Sequence, residues 1–391
     1  MAAGLEVPLE GGPVELVGVL DVDREGQGIV PRRLPGWTRP QVPDLFMETM
    51  VRMPSGVRLR FATDSTTVEL DVLVTHLRLV PDPVRPSWFD LRVDGVPAGA
   101  ESTTVGPAVG IRSLDPGTIT FEDGGPTTIR FEGLPPGPKD VEVWLPQGAV
   151  VELRALRIDD GSTASPAAVD DRPRWVHYGS SISHAMEASS PTATWPAVAA
   201  DLAGHHLTSV ALAGQCQLDP FLARTIRDLP ADVITLKVGI NLVNGATMVD
   251  RTFAPAVHGF LDTIREGQPD TPIVLVSPIF CPCAEDRPGP TVPGPDGRFR
   301  TIPGLEDVRA TGLTLTKVRT VLRDVVELRR SLGDANLAYV DGLGLFGPDD
   351  AGDLPDDLHP NAAGQRRMGE RAATLVFGAG GALDGLEAAR G

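Results

Sequence analysis

The hydrophobic period of this sequence changes once, near residue 160, and that change restricts the possible folds more than any other feature. Before it, apolar residues alternate with polar ones, as at Val57, Leu59 and Phe61. A period of two places such residues on one face of a half-buried strand. Short strands without helical patterns between them predict an antiparallel, jelly-roll-like β-sandwich over residues 1–165.

The second period begins after a polar stretch at 159–174, whose Ser, Ala and Pro content is typical of a linker. Beyond it, short apolar runs such as 231–239 alternate with longer helical patterns such as 313–333. This alternation predicts a parallel sheet covered by helices on both faces. We therefore expect a second domain of the three-layer α/β/α type over residues 172–391.

The charge of the chain argues against two classes of partner. It contains 35 Lys+Arg and 52 Asp+Glu residues, which gives a formal net charge of −17. Such an acidic chain has no electrostatic attraction for a phosphate backbone or for an anionic membrane surface. We expect neither a nucleic-acid partner nor a membrane partner.

The N-terminal residues and the cysteines predict a cytoplasmic protein. Glu6 and Glu10 interrupt the stretch in which a signal peptide needs an apolar run. The three cysteines, Cys216, Cys281 and Cys283, cannot all pair with one another, which favours a reducing compartment.

No metal site is predicted. Cys281-Pro282-Cys283 and His205-His206 contain ligand residue types, but no set of suitable spacing completes either. His177 and His184 flank a serine-rich segment without an acidic partner at a useful spacing, so we interpret them as wall or strand-end residues.

The first chemical motif follows the first strand of the α/β half. Gly179 precedes Ser180 and Ser181, and the small glycine lets the chain turn sharply and lift a hydroxyl above the sheet. In parallel sheets, reactive groups belong at the carboxyl ends of strands. The same string is also typical of a loop that caps the next helix.

A second motif lies before the last predicted helix. Asp356 stands three residues before His359, so its carboxylate can accept a hydrogen bond from the imidazole and stabilise the imidazolium. Pro360 suits the first position of a helix. An N-cap aspartate and a surface histidine would give the same pattern.

Two further segments end predicted strands. Gly214 offers an unobstructed backbone N–H, and Asn241 in Gly239-Ile240-Asn241 offers a carboxamide. Both groups are suitable donors to the oxyanion of an acyl transfer. Either residue would also suit a simple turn.

Taken in order, these four segments resemble the blocks of the SGNH (GDSL) hydrolase family: a G-D-S-like block, a glycine, G-x-N and D-x-x-H. By this resemblance, Ser181 is the nucleophile, His359 the general base and acid, and Asp356 its orienting carboxylate. The oxyanion hole consists of the N–H groups of Ser181 and Gly214 and the side chain of Asn241. The match extends from about Trp175 to Gly378.

One position departs from the family pattern, because Ser180 stands where the family has aspartate. Ser180 and Ser183 therefore remain alternative nucleophiles, and Asp357 an alternative partner for His359.

The resemblance implies a flavodoxin-like fold for the C-terminal domain and a serine acyl-transfer enzyme with an acyl-serine intermediate. A sandwich before such a domain is similar to two-domain carbohydrate esterases and to acyltransferases of antibiotic biosynthesis. Without a signal peptide, the favoured function is transfer of an aromatic, salicylyl-type acyl group to a hydroxyl of a small-molecule natural product such as a tetracycline. The donor would be an acyl-CoA co-substrate, with no bound cofactor.

Two alternatives stay open. One is an esterase of small acyl esters, including carbohydrate O-acetyl groups, and the other is a non-catalytic carbohydrate-binding protein. The sandwich could bind substrate or carbohydrate, although core packing is the more usual role for Trp88 and Trp144.

Two local features complete the sequence predictions. Asp94-Gly95 marks a hairpin turn. The proline-rich segment from Cys281 to Leu305 predicts a long irregular loop, which we expect to border the pocket; an excursion over the surface is the alternative.

Overall fold

The computed structural model describes residues 4–80, 82–111, 119–303 and 310–388. It divides into two compact units. The N-terminal unit comprises Met1–Asp171 with Ser189–Thr192, and the C-terminal unit comprises Arg172–Ala188 with Ala193–Gly391. In the ranges described, no helix is both long and apolar enough to cross a membrane.

The N-terminal unit is built almost entirely from short strands. In chain order they are β1 (Leu5–Val7), β2 (Glu15–Val17), β3 (Asp21–Glu25), β4 (Gly28–Arg32), β5 (Arg58–Thr63), β6 (Val68–Leu79), β7 (Ser87–Val93), β8 (Val96–Thr103), β9 (Ala108–Ile111), β10 (Ile119–Glu122), β11 (Thr127–Phe131), β12 (Lys139–Trp144), β13 (Ala149–Ile158) and β14 (Ala164–Ser165).

These strands form two sheets that share one apolar core. One sheet runs β10-β9-β6-β13-β4-β3, with β1 beside β13 and β11 beside β6, and the other runs β14-β5-β12-β7-β8, with β2 beside β5. Residues of both sheets, such as Leu59 and Val143 from one and Leu70 and Val151 from the other, pack in the same buried cluster. The predicted sandwich is confirmed, although β6 and β9 pair in parallel.

The predicted hairpin is also present. Asp94 and Gly95 have φ values of 49° and 78° and connect β7 to β8. A tight two-residue hairpin turn has positive φ at both of its central residues, and Asp or Asn followed by Gly is preferred there.

Strand β5 differs from the half-buried prediction because both of its faces are buried. Leu59 and Phe61 face the core, and Arg58 on the other face is only 1% exposed. The Arg58 guanidinium lies 4.7 Å from the centre of the Trp144 ring, so a cation–π contact supports its burial. Trp144 is thus a packing residue, whereas Trp88 is 39% exposed, contrary to the core role expected for it.

Two local structures of this unit were not predicted. Helix α1 (Leu45–Arg52) begins at Asp44, whose carboxylate accepts a hydrogen bond from Met47 N at 2.8 Å. The predicted linker contains β14, which pairs with β5, so its first part extends a sheet of the sandwich.

The C-terminal unit alternates strands and helices as predicted. Its strands are β15 (Arg174–Gly179), β16 (His206–Ser209), β17 (Val233–Lys237), β18 (Ile273–Val276), β19 (Thr291–Pro293), β20 (Phe299–Thr301) and β21 (Leu337–Val340). Its helices are α2 (Ser181–His184), α3 (Trp195–Ala203), α4 (Pro220–Asp228), α5 (Ile240–Asn244), α6 (Asp250–Arg265), α7 (Leu315–Ser331), α8 (Gly342–Leu345), α9 (Ala362–Ala372), a π-helical turn at Ala373–Phe377 and α10 (Ala382–Ala388).

The main sheet is parallel throughout, in the order β16-β15-β17-β18-β21. Neighbouring residues of β15 point to opposite faces. The His177 ring packs on Trp195 of α3 at 4.8 Å, and the Tyr178 ring stacks on Phe260 of α6 at 5.4 Å. Helices therefore cover both faces, and the predicted three-layer α/β/α fold is confirmed.

The proline-rich segment is less irregular than predicted. Strands β19 and β20 pair antiparallel within it, with Pro293 opposite Phe299. A two-stranded ribbon leaves one edge of each strand unpaired, so a proline without an N–H can occupy it. Leu305, where the predicted loop ends, lies outside the described residues.

Candidate active site

The motifs lie beside one another because their strands are neighbours. Strands β16, β15 and β17 are adjacent and parallel, so their carboxyl ends meet at one edge of the sheet. Ser181 follows β15, Gly214 follows β16 and Asn241 follows β17. This is the edge at which α/β folds bind their ligands.

Ser181 is the first residue of α2, directly after its N-cap, Ser180. The helix is short because Ala185, with φ 62°, turns the chain into the left-handed region. In the first turn of a helix, backbone N–H groups have no intrahelical acceptor. The Ser181 amide is therefore a candidate donor beside the Ser181 hydroxyl.

The Ser181 hydroxyl contacts the predicted base. His359 Nε2 lies 2.9 Å from Ser181 Oγ, and His359 Nδ1 lies 2.6 Å from Asp356 Oδ2. The other carboxylate oxygen of Asp356 accepts from the backbone N–H of His359 at 2.7 Å and of Leu358 at 3.0 Å. This arrangement gives Nδ1 the proton and leaves Nε2 as the acceptor for the serine hydroxyl.

The pKa values of Asp356 and His359 shift in opposite directions, the first downward and the second upward. Burial alone raises the pKa of Asp356, but the hydrogen bonds and charge of His359 outweigh burial and bring it below its ordinary value. Burial alone lowers the pKa of His359, but the charge of Glu187 and the bonded carboxylate of Asp356 raise it above its ordinary value. The carboxylate thus stays ionised and stabilises an imidazolium.

Backbone N–H groups of the segment after β16 donate hydrogen bonds to both neighbouring motifs. Leu212 N donates to Gly179 O at 2.9 Å, and Ala213 N donates to His184 Nδ1 at 3.3 Å. On the other side, Cys216 N donates to Asn241 Oδ1 at 3.0 Å. Gly214 lies between these contacts, with φ 70°.

Gly239 is required where β17 ends. Its φ is 114°, and a Cβ there would lie 2.4 Å from Val318 Cγ1 of α7. The glycine lets the chain turn sharply beneath α7, and the turn places Asn241 on α5, where it is 7% exposed.

The alternative residues take other positions. Ser180 Oγ and Ser183 Oγ are fully buried and have no hydrogen-bond partner among the described residues. Asp357 lies 3.4 Å from Arg298 Nη1, whereas Asp356 is the carboxylate hydrogen-bonded to His359. The structure thus brings Ser181, His359 and Asp356 together and does not join the alternatives to them.

The proline-rich segment contacts the loop that carries the histidine. Phe299 N donates to Asp356 O at 2.8 Å, Cys283 Sγ to Asp357 O at 3.7 Å and Cys281 Sγ to Leu358 O at 3.6 Å. Three consecutive carbonyls of that loop therefore accept hydrogen bonds from the proline-rich segment. Sequence analysis did not predict these two thiol contacts. The only available signal was their C-x-C spacing.

His177 belongs to the core beneath the site. Thr235 Oγ1 accepts from Trp175 Nε1 at 2.8 Å and contacts His177 Nδ1 at 2.6 Å. Burial and the charge of Lys237 lower the pKa of His177 to about 3, so it is neutral. His177 is fully buried within β15, so it is a core residue and not the wall or strand-end residue that the sequence predicted.

The described residues hold no group of three or more His, Cys, Asp or Glu side chains arranged to bind a metal ion. His205, one of the ligand-type residues considered above, contacts Ala203 O through Nδ1 at 2.9 Å and packs on Phe377.

Comparison with known proteins agrees with this geometry. Residues 177–367 match the model of the GDSL-like lipase/acylhydrolase family. A search of curated proteins finds no match to the chain.

Several solved structures are similar over nearly the whole chain. The salicylyl-acyltransferase SsfX3 from a tetracycline biosynthetic pathway has a TM-score of 0.79 and 28% identity, over 95% of this chain and 96% of that one. A protein described as a GDSL-like lipase, from Bacteroides ovatus, has a TM-score of 0.67 and 19% identity, over 94% and 95%. A family two carbohydrate esterase from Cellvibrio japonicus has a TM-score of 0.56 and 13% identity, over 95% and 97%. At 19% and 13% identity, the last two structures show that the fold is shared.

Proposed function

Because residues 177–367 belong to the GDSL-like lipase/acylhydrolase family, we propose that this chain transfers an acyl group from a CoA thioester to a hydroxyl of a small-molecule natural product, through an acyl-Ser181 intermediate. The chain is an enzyme of the GDSL/SGNH class. The observation that carries the proposal is the 2.9 Å contact between Ser181 Oγ and His359 Nε2, with Asp356 on the other ring nitrogen.

In the first half of the reaction, His359 Nε2 takes the proton of Ser181 as Oγ attacks the thioester carbonyl. Asp356 holds the ring in the required tautomer and stabilises the imidazolium that forms. Collapse of the tetrahedral intermediate breaks the C–S bond, and the imidazolium gives its proton to the departing thiolate. Acyl-Ser181 and free CoA are the products of this half.

The negative charge of the tetrahedral intermediate needs donors that are already in place. We assign this role to the N–H groups of Ser181 and Gly214 and to the side-chain amide of Asn241. Asn241 Oδ1 accepts from Cys216 N, so Nδ2 is the atom of that side chain that can donate. Preorganised donors of this type are usually the largest single contribution to acyl-transfer catalysis.

In the second half, the acceptor hydroxyl replaces CoA. His359 Nε2 removes its proton while its oxygen attacks the acyl carbonyl, and collapse releases the new ester. The proton returns from the imidazolium to Ser181 Oγ, which restores the starting state. Both halves use the same base and the same oxyanion donors, as expected for a ping-pong enzyme.

The proposed substrates rest on similarity to one solved structure. SsfX3, a salicylyl-acyltransferase from a tetracycline biosynthetic pathway, is 28% identical over 95% of this chain. This similarity supports an aromatic, salicylyl-type acyl group and an acceptor such as a tetracycline. Acyl-CoA thioesters are made in the cytoplasm, so a cytoplasmic location agrees with this donor.

Hydrolysis is the second candidate, because water can attack the same acyl-serine. The similarity in fold to a family two carbohydrate esterase is the observation that favours it. A non-catalytic carbohydrate-binding protein would not need Ser181 and Asp356 each within hydrogen-bonding distance of a His359 ring nitrogen.

A fluorophosphonate probe tests the nucleophile. We expect labelling of the wild-type protein and of Ser183→Ala, a matched control two residues along α2, and no labelling of Ser181→Ala. Labelling that persists in Ser181→Ala would refute the assignment of the nucleophile.

Incubation with acyl-CoA donors, with and without hydroxylated aromatic acceptors, then tests the second half. Mass spectrometry follows acyl-Ser181, free acid and acylated acceptor. Transfer predicts ester formation that depends on the acceptor and is lost in Ser181→Ala. Free acid formed at one rate, whichever acceptor is present, would identify a hydrolase instead.

A further inference from the structure

We infer that the hairpin formed by β19 and β20 is one wall of the acceptor subsite, and that Phe299 in it selects a flat, apolar hydroxyl acceptor over water. This inference rests on the proposed acyl-Ser181 intermediate and adds the residue that decides between transfer and hydrolysis.

The hairpin is fixed to the catalytic loop by Phe299 and Arg298, and to the segment that precedes it by Thr301. Phe299 N donates to Asp356 O at 2.8 Å, and Arg298 Nη1 lies 3.4 Å from the Asp357 carboxylate. Thr301 Oγ1 donates to Cys283 O at 2.6 Å. Phe299 therefore has a defined position relative to the loop that carries the histidine.

The phenyl ring lies against the base itself. The centres of the Phe299 and His359 rings are 5.6 Å apart, and their planes meet at 76°. Edge-to-face contacts of aromatic rings have this geometry. Phe299 is half-buried, so the residue keeps some exposure to solvent.

The other strand of the hairpin lies against α5, the helix that carries Asn241. The hairpin thus extends from the proposed oxyanion donor to the base. The reacting carbonyl must lie between these two groups, so a molecule that approaches it meets the hairpin at one side.

The chemistry of the second half-reaction places the acceptor close to Phe299. The acceptor hydroxyl must come within hydrogen-bond reach of His359 Nε2, on the order of 3 Å, to lose its proton. The rest of the acceptor then extends past the imidazole, and in the described part of the chain Phe299 is the aromatic side chain that contacts that ring. A flat apolar acceptor gains dispersion and ring contacts there, whereas water is too small to gain them.

Competition between two alcohols tests this assignment on the intact enzyme. The probes are p-nitrophenyl acetate as acyl donor and an equal mixture of benzyl alcohol and methanol as acceptors. Gas chromatography measures benzyl acetate, methyl acetate and acetic acid. Methanol is too small to contact the phenyl ring, so methyl acetate measures transfer without that contact. The ratio of benzyl acetate to methyl acetate therefore isolates the contribution of the Phe299 ring.

We expect Phe299→Ala to lower the benzyl-to-methyl ratio by about three- to tenfold, which corresponds to the loss of one aromatic contact. Phe299→Leu preserves most of the apolar volume and replaces the alanine variant if that variant folds poorly. We expect an intermediate ratio for Phe299→Leu. Phe299→Tyr keeps the ring and should preserve the wild-type ratio. Phe121→Ala, which removes a 76% exposed phenyl ring from the N-terminal unit, is the matched control.

Two failures are distinguishable. Wild-type protein that forms no acyl-Ser181 with the donor refutes the proposed function, and with it this inference. If acyl-Ser181 forms and the ratio is the same in wild type, Phe299→Ala and Phe299→Leu, the acceptor subsite lies elsewhere and this inference alone is overturned.

Discussion

The backbone N–H of Cys216 donates to Oδ1 of Asn241 at 3.0 Å and thereby fixes which way the carboxamide points. An amide that accepts through its oxygen presents its nitrogen on the other side. The two residues follow neighbouring strands, β16 and β17, so the hydrogen bond also fastens the loop containing Gly214 to the start of α5.

Asn241→Ala should lower kcat by about 10²–10³-fold, the usual effect of removing one oxyanion donor. Asn241→Asp separates the two functions of the side chain, because its carboxylate still accepts from Cys216 N but provides no donor. We expect it to be at least as inactive as Asn241→Ala. Steady-state kinetics with a p-nitrophenyl ester measures both.

The control for this pair is Asn244→Ala on the same helix. Asn244 Oδ1 has no hydrogen-bond partner among the described residues, so near-wild-type kcat is expected. Wild-type activity in Asn241→Asp would show that orientation of the loop, and not donation to the oxyanion, is the function of Asn241.

Glu187 sets the acid limb of the pH profile. Its charge helps raise the pKa of His359 above the ordinary value of 6.5. His359 must be neutral to accept the Ser181 proton, so kcat/KM falls as pH decreases through this pKa. Glu187→Gln removes a negative charge that stabilises the imidazolium, and the acid limb should therefore move to lower pH.

The measurement is the pH dependence of kcat/KM for wild type and Glu187→Gln. Glu266→Gln, at an exposed site at the end of α6, removes the same charge from another part of the unit and should leave the profile in place. An acid limb that stays fixed or moves to higher pH in Glu187→Gln would contradict this electrostatic role.

The two thiols of the proline-rich segment stabilise the position of His359. Burial raises the pKa of Cys283 to about 11 and holds the pKa of Cys281 well above its ordinary value, so both thiols remain protonated donors. Weak hydrogen bonds of this kind contribute about 0.5–1 kcal/mol each. Cys281→Ala combined with Cys283→Ala should therefore lower kcat by up to about thirtyfold.

Serine at both positions provides the matched control, since its hydroxyl can donate to the same carbonyls. Partial recovery of kcat in the double serine variant, with unchanged KM, is the expected result. Equal kcat in the alanine and serine variants would assign the cysteines to packing alone.

The regular parts of this fold are predictable because local periodicity encodes them. The runs around β17 and α7 read correctly as strand and helix, and the position of each motif at a strand end follows from the parallel sheet. Strand β5 shows the limit of the method. Its polar face is buried because Trp144 covers Arg58, and Trp144 lies on β12, a different part of the sequence.

The contacts around the candidate site that sequence reasoning missed are all long-range. Cys283 contacts Asp357, 74 residues away, and Phe299 packs on His359, 60 positions along the chain. No local sequence pattern indicates either pair. The proline content of the segment predicted an irregular loop in place of the hairpin that brings Phe299 to the imidazole. Only the folded chain reveals such partners.

Lys237 destabilises the protein at neutral pH. Lys237 is 1% exposed, its ammonium group has no hydrogen-bond partner among the described residues, and burial lowers its pKa to about 8. A buried unpaired charge is costly, so Lys237→Met, which keeps the length of the side chain, should raise the free energy of unfolding by about 1–3 kcal/mol at pH 7.

The pH dependence of that difference distinguishes charge from packing. The folded-state pKa, about 8, lies below the ordinary value of 10.5, so between these values the unfolded chain binds more protons and wild-type stability rises with pH. The free energy of unfolding of Lys237→Met, measured in urea, should therefore exceed that of wild type by less at pH 10 than at pH 7. A constant advantage would mean that methionine simply packs better, and a loss of stability would mean that the ammonium has a partner in solution.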